Sequence, residues 1–176
     1  MSFNREAREK SVLELTVPPE WGAVRAVWAP SRAVLERTGL GPDEAYALAM
    51  VSQELLENAV KYGAFGPGDS VQLQVWLDGD EVTVEVRSKV GVDDAHLRRF
   101  DQTVQWIRSF QDPFEAYVER LKAVSAQPYA HGQSGLGLTR IAYEGRCALD
   151  FYVDAANVLA VSAVYRREGE ASWATS

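Results

Sequence analysis

The chain has 176 residues, of which 47% are hydrophobic, and this content suits one ordinary domain with a sizeable core rather than a disordered chain. The formal net charge of −7 disfavours binding to nucleic acids and anionic membranes, because like charges repel. The acidic balance leaves ATP open as a ligand, since backbone N–H groups, lysine and Mg²⁺ can hold phosphate locally on an acidic protein.

The N-terminal sequence and the cysteine content predict a cytoplasmic protein. Residues 1–10 form a polar arm without the apolar segment of a signal peptide. No apolar stretch approaches the roughly 20 residues that a membrane span needs. Cys147 is the only cysteine, so an intrachain disulfide is excluded, which fits a reducing cytoplasm.

The first third of the chain predicts a strand and two helices. Residues 12–17 have the composition of a strand, which the two prolines that follow would end. A helix is predicted over about residues 20–38, and Pro30 should kink it or split it in two. A proline and two acidic residues predict the start of a second helix over about residues 42–62, which Gly63 ends.

A hairpin and a helical segment follow the second helix. Residues 71–77 alternate between apolar and polar side chains, which is strand periodicity. Asp78-Gly79 predicts a tight turn, and residues 82–86 predict the return strand. Residues 93–126 predict two helices that are divided near Asp112-Pro113.

The C-terminal part predicts a glycine-rich loop, a short helix and a last hairpin. The loop covers residues 131–137, the helix ends near Gly145, and the strands cover residues 147–153 and 158–166. The residues after Arg167 are expected to form a loose tail.

This order of elements predicts an α+β fold. Short hairpins join all the strands except the first, so we expect a two-layer sandwich in which a mainly antiparallel mixed sheet carries helices on one face. Residues 11–167 are assigned to a single domain, within which residues 93–130 form a helical lid or insert. Residues 1–10 and 168–176 are the polar arm and the tail.

The second helix has two faces of different character. An apolar stripe at three- and four-residue spacing forms its core-facing side: Leu48, Val51, Leu55, Ala59 and Tyr62. Glu54, Asn58 and Lys61 share another face, which lies about a quarter-turn away at about 100° per residue. These three polar groups would therefore stand at the edge of the core, where a cleft could form.

Two interpretations fit this polar face. The first is a solvated helix surface with a Glu57–Lys61 ion pair. The second is a site for metal and phosphate, which Asn58 favours because asparagine suits a helix interior poorly unless its amide has a partner. The amide oxygen is a reasonable Mg²⁺ ligand, and a carboxylate one turn away could polarise an attacking hydroxyl or water.

The glycine-rich loop offers a second candidate for phosphate contact. Residues 131–138 read HGQSGLGL and precede a helix, whose N-terminal N–H groups suit an anion, while glycines allow close backbone approach. The pattern is neither a P-loop nor the dinucleotide fingerprint. A structural turn explains the loop equally well by itself, and the combination with the polar helix favours a phosphate site.

These residues resemble a known family. Residues 54–63, ELLENAVKYG, resemble the N box of the GHKL ATPases, which include gyrase, heat-shock protein 90, histidine kinases and MutL. Residues 134–138, SGLGL, resemble their second glycine box, and the elements over roughly residues 11–166 resemble their fold. In size the chain is most similar to the anti-sigma factor serine kinases, which are single small domains that phosphorylate a partner protein.

The resemblance implies a role for each matching residue. Glu54 would be the general base, Asn58 would bind Mg²⁺, and Lys61 would lie near the phosphates of ATP. The glycine box would supply the remaining phosphate contacts, through Gly132, Ser134, Gly135 and Gly137. The base would take the proton of a serine on the partner, and the serine oxygen would attack the γ-phosphate.

The adenine end of the site departs from the family pattern. The family has an Asp-x-Gly box, in which the Asp accepts a hydrogen bond from the adenine amino group. Here Ser88 stands at the Asp position, and Gly91 comes one residue late. Serine can accept this hydrogen bond, but the charge-assisted bond that is lost is worth about 1.5–3 kcal/mol. We therefore expect weaker adenine binding, by about one to two orders of magnitude.

Two hypotheses about function follow. The first is an ATP- and Mg²⁺-dependent serine kinase of a bacterial partner-switching system, whose partner resembles a STAS-domain anti-sigma factor antagonist. A sigma factor as a further partner and a homodimer stay open. The second is a non-catalytic, anti-sigma-like module that has lost ATP and sequesters a partner through residues 93–126. A detached histidine-kinase catalytic domain is disfavoured, because no phosphoacceptor helix precedes the domain.

The other candidate residues favour structural roles. No cysteine or carboxylate spacing near His96 or His131 suggests zinc, and Arg98-Arg99 is interpreted as solvated charge. An aromatic and apolar set in residues 93–126 is expected to pack over the sheet or the lid, with a partner or dimer interface as the alternative. This set comprises Trp106, Ile107, Phe110, Phe114, Tyr117 and Leu121.

Overall fold

In the computed structural model, which describes residues 11–92, 95–126 and 136–167, five strands form one sheet. They are β1 (Ser11–Val17), β2 (Val71–Asp78), β3 (Glu81–Lys89), β4 (Cys147–Val153) and β5 (Val158–Arg166). Their order across the sheet is β1-β2-β3-β5-β4, and every neighbouring pair is antiparallel. The predicted α+β class with an antiparallel sheet is confirmed.

Six helices lie between these strands in the described residues. They are α1 (Trp21–Arg25), α2 (Trp28–Glu36), α3 (Pro42–Tyr62), α4 (Ala95–Arg108), α5 (Pro113–Ser125) and α6 (Gly137–Tyr143). Helix α3 packs on β2 and β3, α2 packs on β1, and α6 packs on β4. None of these helices combines the length and the apolar character that a membrane crossing requires.

The two faces of the sheet differ because side chains alternate along each strand. One row of cross-strand partners on the helix side is apolar and buried: Leu13, Val75, Val84, Ala163 and Leu149. The neighbouring row on the opposite face is polar: Glu14, Gln74, Glu85, Ser162 and Asp150. The helices therefore cover the apolar face, and the core lies between the two layers.

The predicted helix over residues 20–38 is split, but not at Pro30. Helix α1 ends at Arg25 and α2 begins at Trp28, so the break precedes the proline. Pro30 is the third residue of α2, where a backbone N–H would have no intrahelical acceptor. The proline therefore fits the first turn of a new helix.

Helix α3 keeps the bounds that its sequence predicts. Pro42 is its first residue, two acidic side chains follow in the first turn, and Gly63 ends it. The predicted division of the helical segment is also confirmed, because Asp112 caps α5. Its Oδ1 accepts a hydrogen bond of 2.9 Å from the backbone N of Phe114.

The buried face of α3 gives a first prediction. Leu56 is fully buried, so Leu56→Ala should lower the free energy of unfolding by about 2–5 kcal/mol through lost transfer energy and a cavity. Leu121→Ala is the matched control, because this α5 leucine is 41% exposed and should cost less than about 1 kcal/mol. Urea unfolding measures both, and equal losses would contradict the described packing of α3.

Candidate active site

The polar face of α3 lines a cavity of about 190 Å³. Glu54, Asn58 and Lys61 all contribute to its wall, so the structure brings together the three residues that the sequence singled out. The other walls come from α1, α4, α5 and α6. Among them are side chains that carry or can carry positive charge: Arg25, His96, Arg99 and Arg120.

The sequence did not indicate that several of these residues line a cavity. Arg99 is exposed, in agreement with its interpretation as solvated charge, and it lines the cavity together with His96. Arg25 and Arg120 carried no sequence signal, because each belongs to a different short helix. Only the approach of α1, α4 and α5 to α3 brings these side chains to one cavity.

Asn58 has an amide that lacks a partner. Its Nδ2 is buried and has no hydrogen-bond partner among the described residues. A buried donor without a partner costs about 1–3 kcal/mol, so a ligand that accepts from it would regain that energy. The amide therefore identifies the floor of the cavity as the place where a polar ligand fits.

Lys61 and Glu57 do not behave as one simple surface pair. The Nζ of Lys61 lies 4.9 Å from the centroid of the Tyr62 ring, in a cation–π arrangement. Glu57 accepts a hydrogen bond of 2.9 Å from Nε2 of Gln53. Both Lys61 and Glu57 line the cavity, so the polar face of α3 borders a concave site rather than a flat surface.

Helix α6 lies directly against the Glu54 carboxylate. Arg140 donates from Nη1 to Oε1 of Glu54 at 2.6 Å. The other carboxylate oxygen faces Gly137, where an added Cβ would lie 2.7 Å from Oε2 of Glu54. The same Cβ would lie 3.8 Å from Nδ2 of Asn58. Gly137 therefore allows a close approach, and a side chain at this position would require the Glu54 carboxylate to move.

Arg140 is a site residue that the sequence interpretation missed. It lies three positions after Gly137, so both residues share a face of α6. That spacing was the available signal, but a face of a short helix does not reveal which residue it meets. The structure shows that it meets Glu54, on a helix that is distant in sequence.

The electrostatic environment of Glu54 favours proton acceptance. Burial raises the pKa of Glu54 above its ordinary value, because a low dielectric disfavours the charged form. The Arg140 guanidinium opposes this shift of the pKa, while the nearby carboxylates of Glu57 and Glu144 add to it. The loss of water around the carboxylate outweighs the attraction of the arginine. A carboxylate with a raised pKa is a stronger base than a free one.

Ser88 lies beside the cavity, at the bottom of a second and much smaller pocket. Its side chain is on the helix side of β3, and the residue is 5% exposed. The pocket has a volume of about 20 Å³ and is mostly apolar, with Val86, Leu97, Phe100, Leu159 and Val161 in its wall. That volume is about the space for one water molecule. Leu97 and Phe100 belong to α4, so this helix forms one wall of the pocket that Ser88 lines.

The rest of the helical segment divides between the core and the surface. Ile107 is buried, whereas Trp106, Phe114 and Leu121 are exposed. The expectation that the aromatic set packs over the sheet or the lid therefore holds for only part of the set. Tyr143 of α6 stacks near Phe114 and Tyr117, with ring centroids 5.1 and 5.2 Å apart.

Of the predicted phosphate-binding residues of the glycine box, the structure describes only Gly137. Gly137 is described and lies against Glu54, as given above. Gly132, Ser134 and Gly135 lie outside the described residues, as does His131. Their predicted contacts with phosphate therefore stay predictions.

Comparison with known proteins shows which family the chain matches. Residues 17–142 match the family model of the histidine kinase-like ATPase domain. A chain in the crystal structure of the SiaB–SiaC complex from Pseudomonas aeruginosa superposes with a TM-score of 0.70. The match has 18% sequence identity and covers 90% of this chain and 91% of that chain, so it shows a shared fold. The search of curated protein sequences gave no significant match.

The contact between Gly137 and Glu54 gives a second prediction. Gly22→Ala places a Cβ in open space within α1, so it should stabilise the protein by about 0.5–1 kcal/mol through helix propensity. Gly137→Ala should bring no such gain, because its Cβ displaces the carboxylate that Arg140 holds. Urea unfolding of the two variants tests this difference. An equal gain in both would mean that Glu54 does not lie against α6.

Proposed function

Because the chain belongs to the histidine kinase-like ATPase family, we propose that it binds Mg-ATP in the cavity beside Glu54 and Asn58 and transfers the γ-phosphoryl group to a serine of a partner protein. The observation that carries this proposal is the buried Nδ2 of Asn58, which has no hydrogen-bond partner among the described residues and lies within one turn of Glu54. Buried donors are mostly hydrogen-bonded in proteins, so this one is available to a ligand that accepts from it.

The residues of the cavity fit a magnesium–triphosphate complex. The Asn58 amide oxygen is the proposed Mg²⁺ ligand, since Mg²⁺ accepts few protein ligands and keeps phosphate and water oxygens. When bound, the ion would neutralise charge on the phosphates. Lys61, Arg25 and Arg99 add positive charge around the same space. We also assign phosphate contacts to the glycine box, through Gly132, Ser134, Gly135 and Gly137.

Glu54 is the proposed general base. Its carboxylate would accept the proton of the acceptor serine while the serine oxygen forms a bond to the γ-phosphorus and ADP leaves with the bridging oxygen. Because burial raises its pKa, Glu54 is better matched to this task than an exposed glutamate. Phosphoryl transfer requires little covalent chemistry from the protein, so position and charge provide most of the effect.

Adenine binding at Ser88 would require a rearrangement of α4. The pocket of about 20 Å³ beneath Leu97 and Phe100 is too small for a purine ring. We therefore propose that residues 93–130, which include α4 and α5, act as a lid that moves when nucleotide enters. The energy of this movement and the absent Asp both weaken ATP affinity, while the phosphate end of the site retains its charge.

The proposed partner is a STAS-domain anti-sigma factor antagonist, as in the anti-sigma factor serine kinases that the sequence resembles. A protein partner is also consistent with the fold shared with a chain of the two-protein SiaB–SiaC complex. A sigma factor as a second partner, a homodimer and a cytoplasmic location complete the proposal.

A non-catalytic binding module is the second candidate function. The small volume of the pocket at Ser88 favours it, because a protein that has lost ATP has no need to keep space for adenine. In this case the exposed side chains of the helical segment, including Trp106, Phe114 and Leu121, would contact the partner. Partner binding would then be independent of nucleotide and unaffected by Asn58→Ala.

Mg-ATP binding is the third prediction. Titration calorimetry should detect binding below millimolar nucleotide, and Asn58→Ala should weaken it at least about tenfold, which corresponds to about 1.4 kcal/mol. Gln105→Ala is the matched control, because this exposed α4 amide is bound to Asp101 and should leave the affinity unchanged. If the wild-type protein binds no nucleotide at millimolar concentration, the kinase proposal is wrong and the binding module remains.

Loss of the base without loss of binding is the fourth prediction. Glu54→Gln should keep Mg-ATP affinity within about threefold but lower phosphate release to water, and transfer to a STAS-domain protein, by about 10²–10⁴-fold. Glu57→Gln tests the neighbouring carboxylate of the same cavity and should keep most of the activity. Radiolabelled γ-phosphate reports both reactions. Equal losses in the two variants would contradict the assignment of Glu54 as the base.

A further inference from the structure

The ion pair between Arg140 and Glu54 joins two helices at the centre of the site. The Arg140 side chain is 37% exposed and the Glu54 side chain is 14% exposed, so the pair lies at the boundary between core and cavity. The separation of 2.6 Å is that of a charge-assisted hydrogen bond, which is stronger than one between neutral groups. Surface ion pairs contribute little to stability, but this one fixes the direction of a largely buried carboxylate.

The position of the guanidinium is itself constrained. Arg140 donates from Nε and Nη2 to Oε2 of Glu144, one turn along α6, at 3.3 Å in each case. Glu144 therefore orients the planar group, and the remaining Nη1 is directed at Glu54. Glu54 is thus held by Arg140 on one oxygen and enclosed by Gly137 at the other.

The charges around Glu54 show why one cation is needed there. Glu57 on the same helix and Glu144 on α6 both repel its negative charge and, with burial, raise its pKa. Arg140 is the group that lowers the pKa of Glu54 by direct contact. The other groups that carry or can carry positive charge line the cavity, where phosphate would compete for them: Arg25, Lys61, His96, Arg99 and Arg120.

From this arrangement we propose that Arg140 is the positioning residue of the site, which holds one oxygen of the Glu54 carboxylate while Gly137 encloses the other. The inference rests on the proposed function, because it assigns Arg140 a role in the same phosphotransfer. Without the guanidinium, burial and the two neighbouring carboxylates act on Glu54 unopposed. Glu54 then holds a proton at a pH where the wild-type residue is already ionised, and a protonated carboxyl group is no longer a base.

The test compares Arg140→Met and Arg140→Lys with Arg166→Met. Arg140→Met removes the charge but keeps most of the side-chain volume, and Arg140→Lys keeps the charge without the planar fork. Arg166 is the matched control, because it forms an ion pair with Glu81 at the sheet end and is 82% exposed. Circular dichroism establishes that each variant is folded before any comparison.

Two measurements are made on each protein. Titration of ¹³C-labelled glutamate carboxyl groups by NMR, with Glu54→Gln to assign the signal, gives the pKa of Glu54 without any need for activity. The second measurement is the rate of phosphate release from Mg-ATP as a function of pH, with KM for ATP determined at each pH.

We expect the Glu54 pKa to be higher in Arg140→Met than in the wild type, to lie between the two in Arg140→Lys, and to be unchanged in Arg166→Met. The phosphate-release rate of Arg140→Met, relative to the wild type, should be lower near pH 6 than near pH 9, where it should lie within about threefold of the wild-type rate, with KM for ATP unchanged within about twofold. The sign follows because the ionised base is active, so a raised pKa moves the acidic limb of the profile to higher pH.

An unchanged or lowered Glu54 pKa in Arg140→Met would overturn the role of Arg140, as would a loss of rate that is equal at both pH values. The two proposals fail separately. If the wild-type protein neither binds Mg-ATP nor transfers phosphate to a partner, the proposed function is wrong, and the NMR titration still decides whether Arg140 keeps Glu54 charged.

Discussion

The packing of α3 on β2 and β3 is the contact on which the candidate site depends. Its apolar stripe is held in the core, so the rotation of the helix about its axis is fixed. This rotation places three polar side chains at the border of the sandwich. Glu54, Asn58 and Lys61 line the cavity there. The hydrophobic effect thus fixes the direction of these polar side chains, because any rotation of α3 about its axis that moved them would expose buried leucines.

The site also shows the balance between burial and charge. Glu54 gains basicity because the fold removes water from around it, yet too much burial would leave it protonated and unable to accept a proton. The guanidinium of Arg140 provides a counter-charge on a separate helix, and Gly137 leaves the room that brings this helix close. The first turn of α6 therefore combines close approach and charge compensation within four residues.

The cavity and the small pocket beside it differ in polarity and in open volume. The end at Asn58 and Lys61 has an amide without a partner among the described residues, several cations and open volume. At the other end, Leu97 and Phe100 cover Ser88, and the ring of Phe100 packs at 5.1 Å against Phe151. Binding energy from the phosphates would have to offset both this apolar packing and the missing Asp. Because of this difference, the kinase hypothesis and the binding-module hypothesis predict different effects of substitutions at the same residues.

The sequence by itself determined the elements and the shared face of Glu54, Asn58 and Lys61. These features are local: Pro42 and Gly63 bound α3, and periods of 3.6 and 2 residues assign each side chain to a face. Only the tertiary structure decided that Arg140 meets Glu54, that Phe100 closes the pocket at Ser88, and that the first helix breaks before Pro30. Periodicity states which side of an element a residue occupies but not which element faces it, because that depends on how side chains distant in the sequence fill the same volume.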